Sequence, residues 1–460
     1  MADFAPFARR MQADRQPTVF IETFAYYYEQ LVAGETGMIS EADIRPVKTL
    51  PDVEAFPAKQ ALLGRRAMGK TAVIKLNGGL GTSMGLEQAK SLLPVKDNLT
   101  FLDIIARQSM KANVPLLLMN SFATEEDSLR ALQTYNDLNR RAMPLSFVQH
   151  RQPKINQADF SPALWPENPQ LEWCPPGHGD IYTALITRGA LSALTSQGIE
   201  YVFISNADNL GAVLDLAILG YIVENKIPFL MEVADRTEMD RKGGHLAQQP
   251  DGQLVLRESA QCPAQDMAAF QDITRYKYFN TNNLWIHLPT LRQLMQVRNN
   301  KLGLPMIRNS KTVDPRDPAS TPVYQLETAM GSAIAVFQDS QALRVPRTRF
   351  APVKKTDDLL AVRSDAYILS DAFHVKPSPA RRYADLLVEL DPEHFKFIQD
   401  LDMRFPFGPP SLVNAYSFKV YGDFRFGRDV VCKGDVLLVN ESGERQFIPD
   451  NTVLEGIVKY

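Results

Sequence analysis

Residues 71–90 read TAVIKLNGGLGTSMGLEQAK. The apolar run from Thr71 to Leu76 stops at a loop holding Gly78, Gly79, Gly81 and Gly85. A short apolar run bounded by glycines is the pattern of a buried strand that opens into a loop. Glycine permits positive φ and lets the backbone approach a ligand. The amide N–H groups of such a loop face phosphate oxygens or the edge of a base. No Gly-Lys-Ser/Thr follows at the Walker spacing, and the glycines do not fit GxGxxG. A tight turn without a ligand is the competing reading. Lys90 closes the stretch and supplies the cation that a triphosphate requires.

The same rhythm extends outward from this loop. VPLLLMN (114–120), LSFVQ (145–149), YVFISN (201–206) and IPFLMEV (227–233) are buried strands by composition. TFLDIIARQ (100–108), TEEDSLRALQTY (124–135) and GDIYTALITRGAL (179–191) are the helices between them. Thr100 with Asp103, and Thr124 with Asp127, have capping-box character. Strand and helix in alternation predict an α/β fold around a mainly parallel, doubly wound sheet. Such sheets bind ligands beyond the carboxyl ends of their strands. HLAQQPDGQLVLRE (245–258) is an inserted hairpin turning at Pro250-Asp251-Gly252. The first 45 residues are helical, and packing on the main body is their simplest role.

Near the C-terminus the period changes. Phe418, Phe424, Val430 and Val436 are spaced by six, as are Val420, Phe426, Cys432 and Leu438, and Ile448, Leu454 and Tyr460 resume the spacing. A six-residue repeat predicts a small β-helix, with an irregular β-sandwich as the alternative.

Bulk properties bound the function. A chain of 460 residues predicts two or three domains. With 45% hydrophobic and 22% charged residues it is an ordinary globular composition. A net charge of -3 gives no reason to expect nucleic acid or an anionic membrane as partner. Cys174, Cys262 and Cys432 are widely separated, which excludes a CxxC zinc site and favours a reducing compartment. The charged N-terminal stretch lacks a signal-peptide core, and no apolar run reaches membrane length. A cytoplasmic protein is expected.

Four further segments carry candidate chemistry. In WCPPGHGD (173–180), His178 sits between two glycines, open to substrate contact or to a local backbone bond, and Asp180 is placed to cap the next helix. In SNADNLGA (205–212), Asn206 and Asp208 lie at a strand's carboxyl end, where a carboxylate suits Mg²⁺ shared with substrate phosphates. Asn280, Asn282 and Asn283 precede a strand and suit sugar hydroxyls or turn chemistry. Arg344, Arg347, Arg349, Lys354 and Lys355 form a basic linker, either set against a phosphate or simply solvated.

KLNGGLGTSMG, LLLMNSF, PPGHGDIY, SNADNLGA, KGG (242–244), FNTNNLW, QLETAMG and PVKKTDDLL stand in one order. From about Lys75 onward the chain resembles the eukaryotic-type UTP–glucose-1-phosphate uridylyltransferases. The resemblance implies a Rossmann-like nucleotidyltransferase core (46–350) after the N-terminal helical segment (1–45). A linker and a C-terminal left-handed β-helix would follow (351–460). It implies UTP and glucose 1-phosphate as substrates, Mg²⁺ as cofactor and UDP-glucose with pyrophosphate as products. Carried over by position, Leu76, Asn77, Gly78 and Gly79 would bind UTP. Gln149 and Gly177 would meet the base. His178, Asn206 and Asn282 would meet the sugar phosphate, and Asp208 the nucleotide and metal. Lys90 and Lys354 would be the two catalytic lysines. The chain departs from the family where Ala89, not proline, precedes Lys90. Many relatives extend further at the C-terminus and assemble there, so a homo-oligomer is left open. Rivals are a UDP-sugar pyrophosphorylase of broader or different specificity, a catalytically inactive binding relative, and a nicotinamide dehydrogenase, which the missing GxGxxG disfavours.

Overall fold

The computed structural model describes residues 3–139, 143–383 and 386–460. Helices α1 (Ala5–Ala13) and α2 (Thr18–Val32) bury an aromatic stripe of Phe7, Phe20, Phe24, Tyr27 and Tyr28. Those rings pack on Ile155, Met306 and Leu326 of the main body. Burial of this stripe, rather than helix propensity, holds the segment in place.

Four parallel strands form the centre of the molecule. β1 (Thr71–Asn77) lies between β2 (Leu116–Asn120) and the later strand Tyr201–Asn206, and Ser146–Val148 follows β2 at the edge. The crossover helices are α3 (Phe101–Ala112) and α4 (Glu125–Leu132), then α5 (Ile181–Thr187) and α6 (Ala190–Ser196). The last pair is one predicted helix broken at Gly189, whose backbone is left-handed. Side chains alternate across β1: Ala72 and Ile74 face a core shared with α5 and α6, while Val73 faces α3. The sheet is mostly parallel in this central part. Beyond Tyr201–Asn206 it becomes mixed, because Tyr278–His287 runs antiparallel to it. The expected hairpin, His245–Gln248 with Leu254–Arg257, extends that side.

The capping box at Thr100 is present with Asp103. The one expected at Thr124 is not; its hydroxyl instead donates to the Asn77 carbonyl at 2.7 Å, tying the helix start to the glycine loop.

After residue 386 every strand pairing is parallel. Leu387–Leu390, Ser411–Tyr421, Val431–Val439 and Val453–Lys459 stack side by side, and Phe424–Phe426 pairs with Gln446–Ile448. Val420 stands opposite Leu438, which stands opposite Val458. The predicted six-residue positions Phe418, Val420, Phe424, Phe426, Val430, Cys432, Val436 and Leu438 are all buried in one core. Tyr460 breaks the pattern, being 48% exposed with its ring edge-on to Phe424. The same core takes in Met84, Leu93, Leu210 and Val353, so the C-terminal part is packed directly behind the glycine loop.

Candidate active site

β1 and Tyr201–Asn206 end side by side. Leu76 is in register with Asn206, and the Ala207 N–H donates to the Leu76 carbonyl at 2.9 Å. The site is therefore at the carboxyl edge of the parallel strands, as a doubly wound sheet requires. The Asn77 side chain does not face it: its amide donates to Asn120 Oδ1 of the neighbouring strand at 2.7 Å and to Ser128 Oγ of α4 at 2.8 Å. Asn77 thus contributes a fixed backbone. Ser121 Oγ donates to the Gly78 carbonyl, which pins the loop from the same side.

Gln149 closes the loop from above. Its backbone N–H donates to the Asn120 carbonyl at 2.8 Å, and its side-chain amide lies 3.1 Å from the place where a Cβ on Gly78 would stand. At Gly79 nothing lies within 4 Å of that position, so the loop is open there. On the other side the Lys90 N–H donates to the Gly79 carbonyl, and Lys90 Nζ reaches Asp208 Oδ2 at 2.7 Å. The Gly79 bond fixes the Lys90 backbone although Ala89 replaces proline.

The second rim is the Pro-Pro-Gly-His-Gly segment. Gly177 has φ of +79°, and a Cβ there would stand 2.6 Å from the Thr328 carbonyl oxygen, so the residue must be glycine. His178 Nδ1 accepts the Met330 N–H at 2.9 Å. The ring proton of the neutral form is consequently on Nε2, free to donate. Burial lowers the His178 pKa to about 4, so the ring is neutral at physiological pH. Asp180 does not cap the following helix. Its carboxylate turns back to His150, accepting the backbone N–H at 2.7 Å and lying 2.8 Å from Nδ1.

The third rim comes from Tyr278–His287. Asn280, Asn282 and Asn283 lie inside this strand rather than before it, at a bulge opposite Glu232 and Val233. Asn282 takes φ of +59° there and exchanges hydrogen bonds with Asn280. Asn283 is buried and donates to Glu232 Oε2 at 3.0 Å. Glu232 is the centre of a network: Arg349 binds both its oxygens at 2.7 Å, and Trp285 Nε1 donates at 2.8 Å.

That network explains the basic linker. Arg344 pairs with Asp52 and Asp235, Arg347 with Asp240 and Arg349 with Glu232. The three arginines hold the linker to the body. Val353 N–H then donates to the Asp208 carbonyl at 3.1 Å, which brings Lys354 beside the site. Lys354 is exposed, with Nζ 5.8 Å from the centre of the Phe350 ring.

Lys75 was not singled out by its sequence context, yet it is fully buried, donating to Ser205 Oγ at 2.7 Å and the Ala212 carbonyl at 2.8 Å. Burial lowers its pKa to about 7. A lysine within TAVIKL and a glutamate within IPFLMEV are the signals that mark such buried polar groups.

Among the described residues no three His, Cys, Asp or Glu side chains converge on a point. A closed protein cage is thus lacking among the described residues, but Asp208, a partly exposed carboxylate at the strand end, fits Mg²⁺ that takes its other ligands from phosphates and water.

The model of the UTP–glucose-1-phosphate uridylyltransferase family matches residues 20–433. The chain belongs to this family. A member from Pyrus pyrifolia is 42% identical over 399 residues, covering 85% of this chain and 82% of that one. One from Schizosaccharomyces pombe, described as probable, is 40% identical, covering 86% and 78%. A mutant UDP-glucose pyrophosphorylase from Leishmania major, solved in complex with UDP-glucose, superposes with TM-score 0.91 at 42% identity over the whole of both chains. UDP-glucose phosphorylase from Trypanosoma brucei superposes with TM-score 0.87 at 42% identity over 99% of each. Agreement over the whole length shows that the fold is shared with these solved structures.

Proposed function

We propose that the chain transfers UMP from UTP to glucose 1-phosphate, forming UDP-glucose and releasing pyrophosphate, in a reversible reaction. The observation that carries this reading is the Lys90–Asp208 contact, which joins the glycine loop to the carboxyl end of the neighbouring strand. Family membership supplies the substrates.

In this reading the Leu76–Gly79 backbone, with Asn77 as its anchor, carries UTP. Gln149 and the Gly177 backbone meet the uracil edge. His178 donates from Nε2 to the sugar phosphate, Asn206 contacts the ribose or sugar side, and Asn282 meets glucose hydroxyls. A phosphate oxygen of glucose 1-phosphate attacks the α-phosphorus in line; the bond to the bridging β-phosphate oxygen breaks, and pyrophosphate takes that electron pair. Positioning and charge neutralisation accomplish this, without a nucleophilic side chain. Lys90 and Lys354 answer the charge that gathers on the α-phosphate. Mg²⁺, held by Asp208 and the UTP phosphates, would add charge neutralisation when bound. Lys90 holds its ammonium on Asp208, at the strand end where the phosphates would lie.

The parallel pairing of the C-terminal strands and their buried six-residue positions support a β-helix within 351–460, and family membership suggests its left hand. The aromatic cluster supports 1–45 as a packing segment on a 46–350 catalytic unit. Three buried free cysteines support a reducing, cytoplasmic setting. Among the described residues no helix is long and apolar enough to cross a membrane.

The test is pyrophosphate release by purified protein with UTP, Mg²⁺ and a panel of sugar 1-phosphates. Turnover with glucose 1-phosphate well above galactose and N-acetylglucosamine 1-phosphates is expected. Equal turnover across the panel would make it a broad UDP-sugar pyrophosphorylase. Folded protein that binds UTP without turnover would be an inactive relative.

A further inference from the structure

Two loops meet the uracil in the reading above, and a buried pair of side chains ties them together. His150 directly follows Gln149, and Asp180 lies two residues beyond His178. Both side chains are excluded from solvent, at 0% and 1% exposure. Asp180 Oδ2 accepts the His150 backbone N–H at 2.7 Å, and Oδ1 and Oδ2 lie 2.8 and 3.0 Å from Nδ1. Thr187 Oγ1, one helical turn after Thr183, lies 3.0 Å from Nε2. The ring is stacked on Phe20 of α2, with centroids 4.2 Å apart and planes 11° from parallel. Every polar edge of the imidazole is therefore engaged, and one face is covered by an aromatic ring.

A buried carboxylate is costly unless its interactions recover the lost hydration. Apolar packing alone would bury these loops at lower cost. The pair instead fixes a geometry: the Gln149 backbone is held to Asn120 on one side and, through His150, to Asp180 on the other. Asp180 in turn closes the glycine-rich turn that begins at Gly177. An amide side chain can present its oxygen or its NH₂ to a base edge, so a glutamine reads uracil against cytosine only while its position is fixed.

We propose that His150 and Asp180 are positioning residues for the nucleotide base, setting the separation between Gln149 and Gly177 and thereby the preference for UTP over CTP. The pair touches no substrate; it acts through the two loops. This rests on the assignment of Gln149 and Gly177 to the base.

Initial rates with UTP and CTP, at varied glucose 1-phosphate, test it in Asp180→Ala and Asp180→Asn. Asp180→Ala should raise the KM for UTP about tenfold and shrink the UTP-to-CTP ratio of kcat/KM by a similar factor, while the KM for glucose 1-phosphate stays within about twofold. Asp180→Asn keeps an oxygen for the His150 N–H and an NH₂ that can donate to Nδ1, so it should restore both values to within about threefold of the parent. A variant that loses thermal stability but keeps the KM split and base preference of the parent would overturn the proposal. So would an Asn variant as impaired as Ala. If Asp180→Ala does not fold, His150→Phe, which keeps the stack on Phe20 and the backbone bond, decides by the same criteria. Gln149→Ala is measured beside them: an unchanged KM for UTP in that variant would remove the base assignment itself, separately from the role of the pair.

Discussion

Lys90 and Lys354 bring the same charge to the site in different states. Lys90 is largely buried and paired with Asp208. Lys354 is exposed and, among the described residues, has no ion pair. Lys354→Ala should therefore leave the melting temperature nearly unchanged and lower kcat by roughly 10²–10³-fold, as loss of one charge-stabilising donor does. Near-normal turnover would remove Lys354 from the reaction. His178 supplies a second prediction. Its folded pKa of about 4 lies below the ordinary 6.5, so between those values the unfolded chain takes up a proton that the folded chain refuses. Stability thus falls as pH drops through that window. His178→Gln should lose about 1–2 kcal/mol less than the parent between pH 7 and pH 5 in urea unfolding. Equal losses in both proteins would show that the imidazole is not held neutral. At this scale the sequence exposed residue types but not their partners. His178 and Asp208 were legible because glycines and a strand end framed them. Lys75, Glu232 and the turn of Asp180 toward His150 were not, because each depends on contacts between segments far apart in the chain.

At the level of elements, the glycine loop and the Pro-Pro-Gly-His-Gly turn use glycine for different reasons. Gly177 is confined by its φ and by the Thr328 backbone. Gly177→Ala should cost about 2–4 kcal/mol, combining left-handed strain with a backbone clash, and weaken UTP binding. Gly79 has ordinary φ and open space around its Cβ position. Gly79→Ala should fold with an unchanged melting temperature but raise the KM for UTP, since only a ligand would meet the new methyl. A Gly79→Ala enzyme with parental KM would mean that UTP does not approach this backbone. The strands and their loops were readable from apolar runs and glycines, because burial on both faces leaves a continuous apolar signature. Helix starts were read less well. Thr124 and Asp180 carry capping residue types, but each found a tertiary partner that outcompeted the local bond.

Across the whole molecule, the linker binds the catalytic sheet to the C-terminal stack. Arg349 is locked on Glu232 inside the sheet, and five residues later Lys354 emerges beside Asp208. Arg349→Met would leave Glu232 buried without its cation. It should destabilise the protein by about 3–5 kcal/mol and lower kcat by loosening Lys354. Urea unfolding and single-turnover rates check both effects. The linker was read as basic and as a bridge; that its arginines are internal anchors could not be seen, since their acids, Asp52 and those between Glu232 and Asp240, come from two segments far upstream in the chain. The C-terminal stack was legible through its six-residue period, and Tyr460 departs from it by lying 48% exposed.

Uridylyl transfer in one displacement, without a covalent enzyme intermediate, is the core of this account. The stereochemical course with UTP made chiral at the α-phosphorus by a single sulfur tests it most directly. A single in-line attack by glucose 1-phosphate predicts inversion at that phosphorus in the UDP-glucose analogue. Retention would require two displacements through an enzyme-bound uridylyl group, and would contradict transfer by positioning and charge neutralisation without a nucleophilic side chain.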